Sequence, residues 1–153
     1  MRSYTSSDTA RILLGAAFAA AASLAAAPTL AAETVMVELV GERGGEMAVN
    51  IDKPEVPAGE VTFQVANVAN DTPHEMVVVM VDEAGQQFVV DPETNKVDET
   101  ALDDLGEVEG LKAGETGELT LTLEPGNYQL LCNYKGHYAA GMYVPFTVTE
   151  ASS

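Results

Sequence analysis

Four side chains in this sequence have types and spacing that could hold a metal ion. Cys132, His137 and Met142 stand in a Cys-x4-His-x4-Met run, within Cys132-Asn133-Tyr134-Lys135-Gly136-His137-Tyr138-Ala139-Ala140-Gly141-Met142. His74 lies upstream, at the head of an apolar stretch. Cys132 is the chain's single cysteine, and His74 and His137 are its two histidines. One thiolate, two imidazoles and one thioether form the donor set of a trigonal His₂Cys copper site with a weak axial methionine. Cu(I) favours soft sulfur and Cu(II) favours nitrogen, so such a set lets one copper ion change oxidation state with little ligand movement. A lone cysteine is buried and inert, intermolecular, or doing chemistry, and it is the company of the two histidines and Met142 that points to the last.

The elements that must position these donors are strands. Thr34–Val40, Glu46–Ile51, Val61–Val68, Glu75–Val81, Tyr128–Cys132 and Met142–Thr149 read as strands, and Leu119, Leu121 and Leu123 alternate with threonines in another. Turn signals separate them at Gly44-Gly45, Pro57-Ala58-Gly59 and Pro125-Gly126-Asn127. The fold class expected is an all-β, Greek-key β-sandwich. Glu75–Val81 is continuously apolar and predicts a strand buried on both faces. Residues two apart share a face, so Cys132 falls with Tyr128 and Leu130, Met142 with Val144, Phe146 and Val148, and His74 with Met76, Val78 and Met80. Three strand ends should therefore aim their donors at one end of the sandwich. Gly136 and Gly141 should let the connecting loop bend around the metal. Met36, Met47, Met76 and Met80 are dispersed along strands and read as core packing. Pro145 cannot donate to a ladder, so an edge position or a bulge is expected there.

Asp82–Gly117 interrupts the rhythm. It is acidic and reads as a long surface excursion between core strands, with a short strand near Gln87–Val90 and one or two helical turns over Thr100–Leu105.

Residues 1–32 read as a secretory signal peptide: Arg2 and Arg11 precede an apolar run over Ile12–Ala27, followed by small residues suited to cleavage. The remainder, 33–153, is one domain. Its localisation is then periplasmic or extracellular. The chain of 153 residues carries a net charge of −17, and loss of the leader's Arg2, Arg11 and Asp8 takes it from −17 to −18. That charge disfavours nucleic acid as a partner; it either favours a partner with a basic docking surface through steering of encounters or serves only to keep the protein soluble.

Around His74 and from Glu124 to Val148 the sequence resembles the cupredoxins, the family that includes plastocyanin, azurin, rusticyanin and sulfocyanin. The resemblance rests on the upstream His74, the Cys132–Met142 ligand loop and the Pro125-Gly126-Asn127-Tyr128 turn into the cysteine strand. The glycines before His137 and Met142 make the loop most similar to rusticyanin- and sulfocyanin-type members. The resemblance implies one copper ion held by His74, Cys132, His137 and Met142, and no enzymatic activity. It implies a monomer that carries single electrons to or from a redox protein such as a cytochrome or copper oxidase. Copper delivery or buffering is the alternative. His137 would be the more exposed ligand, with Tyr138, Ala139, Ala140 and Tyr143 around it as an apolar docking patch or a cap on the core. One departure stands out. Many cupredoxins carry Asn or Ser directly after the upstream histidine, where this chain has Glu75, and Asn67, Asn70 or Asn133 are the candidates to replace it.

Overall fold

The computed structural model describes residues 32–151. The leader read over residues 1–32 therefore lies outside the described residues, apart from Ala32. Among the described residues no helix is long and apolar enough to cross a membrane.

Eleven strands follow one another: β1 (Glu33–Gly41), β2 (Met47–Ile51), β3 (Glu55–Pro57), β4 (Gly59–Asn67), β5 (His74–Val81), β6 (Val90–Asp91), β7 (Lys96–Val97), β8 (Asp103–Leu111), β9 (Thr116–Leu123), β10 (Gly126–Leu131) and β11 (Tyr143–Thr149). One sheet has the order β2-β1-β4-β9, the other β3-β11-β10-β5-β8, and β6-β7 forms a separate two-stranded ribbon. The expected all-β sandwich is thus the observed one. Both large sheets are mixed, because β1 runs parallel to β4 and β3 parallel to β11.

Strand parity decides what lies between the sheets. Val35, Val37 and Leu39 of β1 alternate with outward residues, and Val61, Phe63 and Val65 of β4 do the same. They meet Met76 and Val78 of β5, Tyr128 and Leu130 of β10, and Phe146 and Val148 of β11. Phe63 meets Phe146 edge-on, with ring centroids 5.5 Å apart, a geometry that aromatic quadrupoles favour. The structure corrects the methionine reading. Met47 and Met76 are buried, but Met36 falls on an outward position of β1, and Met80, near the end of β5, is exposed although it shares parity with Met76 and Val78.

Strand β5 is buried on both faces, and the excursion is the reason. Val77, Val79 and Val81 point away from the main core into a second apolar cluster with Leu131, Tyr138 and Val97, flanked by Phe88, Val90, Leu102 and Tyr143. The segment after Asp82 therefore covers the outer face of the five-stranded sheet. Its end differs from expectation. The helical turns expected over Thr100–Leu105 reduce to one 3-10 turn at Glu99–Ala101, and Asp103–Leu111 is a full strand pairing with β5. The acidic, glycine-broken sequence of β8 suits a sheet edge, where charge discourages pairing with other chains. The short strand near Gln87–Val90 sits slightly later, at Val90–Asp91. Pro145 faces Gln129 of β10, while β3 pairs with β11 only from Thr147 onward. Pro145 therefore has an open side, as its missing N–H requires.

Candidate metal centre

His74 opens β5, Cys132 follows the last residue of β10, and Met142 precedes the first residue of β11. Strands β5, β10 and β11 are neighbours, so their ends bring these residues together. The loop between Cys132 and Met142 folds back on itself. The Cys132 N–H donates to the Met142 carbonyl at 3.0 Å, and the Met142 N–H donates to the His137 carbonyl at 3.1 Å. Gly136 and Gly141 have φ of 84° and 96°, conformations that favour glycine.

The donor atoms of His74, Cys132 and His137 all lie within 4.8 Å of one another. His74 Nδ1 is 3.1 Å from His137 Nδ1, and Cys132 Sγ is 3.3 Å from His137 Nδ1. The other nitrogen of His74, Nε2, lies 3.0 Å from the Gly41 carbonyl. A carbonyl only accepts, so Nε2 carries the hydrogen and Nδ1 presents its lone pair to the site. This is the outer-shell arrangement that orients a metal-bound imidazole. Met142 is fully buried at the same end of the core.

Burial sets the protonation states. It pushes the Cys132 thiol up to about 11. It also lowers His74, and it lowers His137 to about 4 with help from the neighbouring His74 and the Arg43 charge. Two neutral imidazoles and a soft sulfur thus face one another with no anion or cation among them. The residues present fit a copper ion: its charge would stabilise the thiolate that burial alone disfavours.

Glu75 replaces the usual small polar residue after the upstream histidine. It is buried, and its Oε1 accepts the Asn133 N–H at 2.9 Å, directly beyond Cys132. Burial raises the Glu75 carboxyl to about 7, against the lowering effect of that hydrogen bond. The three asparagines considered from the sequence have separate places. Asn133 donates to the Val97 carbonyl and accepts the Val97 N–H, so it clasps the β6-β7 ribbon to the ligand loop. Asn67 donates to the carbonyls of Thr72 and Leu111 and steadies the approach to His74. Asn70 binds the exposed Glu42 carboxylate. Sequence reasoning missed the Gly41 carbonyl and the Glu75–Asn133 link. The only signals were a glycine ending β1 and an acid in an apolar run.

Residues 35–149 match the family of copper-binding proteins of plastocyanin and azurin type. The chain belongs to that family. No curated protein matches it. Among solved structures, auracyanin from the photosynthetic bacterium Roseiflexus castenholzii is similar at 24% identity, over 77% of this chain and 96% of that one, with a TM-score of 0.53. Auracyanin B is 27% identical, over 76% and 88% of the two chains, with a TM-score of 0.53. Rusticyanin from Thiobacillus ferrooxidans is 15% identical, over 76% of each chain, with a TM-score of 0.57. As a cupredoxin, the chain has a His74, Cys132 and His137 cluster that corresponds to a single copper site.

In this cupredoxin His137 is slightly more exposed than His74, at 7% against 0%. It lines an open cavity of about 670 Å³, together with Arg43, Thr72, Asn95, Lys135 and Ala140. Tyr138 and Tyr143 stand elsewhere. They stack on each other, centroids 4.7 Å apart, in the second apolar cluster. Tyr138 is buried there and Tyr143 half-buried, while Ala139 is exposed and Ala140 lines the His137 cavity.

Proposed function

We propose that this cupredoxin is an exported one-electron carrier. The observation that carries this reading is the buried convergence of His74 Nδ1, His137 Nδ1 and Cys132 Sγ, with His74 held in one tautomer by Gly41. Met142, buried at the same end of the core, would complete the donor set. Bound copper supplies the Cu(II)/Cu(I) couple. The chain's own residues keep that couple fast and reversible. The Gly41 carbonyl and the Cys132–Met142 loop bonds fix the donors in place before the metal arrives, so little has to move when the electron does. The apolar surroundings of Cys132 exclude water. His137, at the edge of the surface cavity, is the route for the electron.

Both histidines of the chain belong to this site, which leaves no imidazole for a second, catalytic copper. The partner is a redox protein such as a cytochrome or copper oxidase. The signal-like leader supports a periplasmic or extracellular setting.

Visible absorption during a Cu(II) titration of the domain, beside Cys132→Ser, tests the site. An intense thiolate charge-transfer band, lost in the variant, is expected. Binding of Cu(I) alone, with no such band from Cu(II), would replace the electron-carrier reading with copper storage or delivery.

A further inference from the structure

The charges of this acidic domain are unevenly placed. Lys53, Lys96 and Lys112 are ion-paired with Glu33, Glu99 and Glu115. Arg43 and Lys135 carry no ion pair among the described residues, and both are exposed. These two cations line the cavity at His137, and no carboxylate lines it with them. The nearby Glu42 carboxylate is already engaged by Asn70 and Thr72 and lies outside that lining. Arg43 is near enough for its charge to act on His137. On the other side of Tyr134 the sign reverses. A second cavity, of about 360 Å³, is lined by Glu75, Glu99, Asp104, Glu107 and Glu109, with Lys96 alone opposing them.

A strongly negative molecule thus presents a cationic, carboxylate-free mouth at its metal end. Net charge steers encounters at long range, but the charges at the contact fix orientation and register. We infer that the His137 cavity is the seat of a carboxylate side chain on the electron-transfer partner, an inference that rests on the electron-carrier reading. The partner surface carries an acidic residue where it meets His137. It carries basic residues to one side, where it meets Glu107 and Glu109. A uniformly basic partner surface would set cations against Arg43 and Lys135 at the point of closest approach. A uniformly acidic one would be repelled by the rest of the domain.

Two inorganic probes test this. Hexacyanochromate(III), a paramagnetic trianion, is added to the Cu(I)-loaded and the metal-free protein while amide resonances are followed. Selective broadening of Gly44, Gly45 and Ala140 is expected in both forms, and hexaamminechromium(III) should instead broaden Glu107 and Glu109. The second arm is the oxidation of the Cu(I) protein by hexacyanoferrate(III), in which one electron leaves copper and iron(III) becomes iron(II). The double variant Arg43→Ala, Lys135→Ala should slow this about tenfold at low salt and should speed oxidation by the cation tris(phenanthroline)cobalt(III). Lys112→Ala, which removes a cation elsewhere, should change either rate less than twofold. The copper absorption band of each variant reports that the fold and site are intact. Exclusion of the trianion from the cavity overturns the inference. So does binding there with equal rates for the double variant and Lys112→Ala, because the cavity would then be an anion site outside the electron path. Loss of the copper reading would show separately, as a missing charge-transfer band with the broadening retained in metal-free protein.

Discussion

The Glu75 carboxylate accepts the backbone N–H of Asn133, so the residue after His74 is tied directly to the residue after Cys132. The link joins strand β5 to the ligand loop with a group whose protonation follows pH. The Glu75 carboxyl sits at about 7 in the folded protein, against an ordinary value of 4.5, because burial disfavours its charge. The folded state therefore holds a proton that the unfolded chain releases. Below pH 4.5 both states are protonated and the carboxyl carries no charge penalty. Between 4.5 and 7 the penalty grows, and above 7 it is complete. Glu75→Gln keeps an acceptor for Asn133 and removes the charge. In metal-free protein the variant should be more stable than the parent by about 2 kcal/mol at pH 8, a figure reduced for solvent screening. The gain should vanish near pH 4.5. Denaturant unfolding across pH measures it, and a difference that does not change with pH would remove the buried-charge account.

The Gly41 carbonyl holds His74, and only glycine fits at that position. Its φ is 123°, and an added Cβ would lie 2.6 Å from the Glu46 carbonyl oxygen and 2.8 Å from the Met47 Cα. Gly41→Ala should cost about 3 kcal/mol. Copper affinity should fall as well, since the displaced carbonyl no longer fixes the His74 tautomer. Thermal unfolding of metal-free protein and a copper competition titration read the two effects. A variant that loses stability but binds copper as tightly would show that His74 needs no such anchor.

Asn133 connects the metal loop to the excursion through both bonds with Val97. Asn133→Ala leaves a buried donor and a buried acceptor of Val97 unpaired, at a cost of about 2–3 kcal/mol. Amide hydrogen exchange should show loss of protection at Val97, with the amides of β1 and β4 unaffected. Uniform loss across the domain would mean that the clasp is an integral part of the core.

Met142→Leu separates the axial donor from the three atoms that converge. The charge-transfer band should persist, because it belongs to the Cys132 thiolate. The reduction potential should rise, since loss of a fourth donor costs the more highly charged Cu(II) more than Cu(I), which accepts three ligands. A shift of one decade in preference corresponds to about 59 mV for one electron, and voltammetry resolves it. An unchanged potential would take Met142 out of the copper's reach.

Much of the site could be read directly from the chain. Cys132, His137 and Met142 share one loop, so their identities and spacing are local, and donor chemistry restricts what such a set can hold. Period-two alternation over Val35–Leu39 and Val61–Val65 marks the core faces without any knowledge of their neighbours. Strand β8 escaped because its sequence is acidic and glycine-broken. It is a strand through its pairing with β5, which local propensity does not encode.

The residue types therefore determined the alternating core faces, the donor chemistry and the ligand loop, because each is carried by residue identity or by neighbours a few positions apart. Tertiary structure alone decided that Gly41 orients His74, that Glu75 meets Asn133, and that Asp82–Leu102 covers the outer face of β5. It also decided that Arg43 and Lys135 share a cavity at His137. These contacts join residues far apart in the chain. A hydrogen bond or a local field depends on separations in space, and sequence periodicity carries no record of those separations.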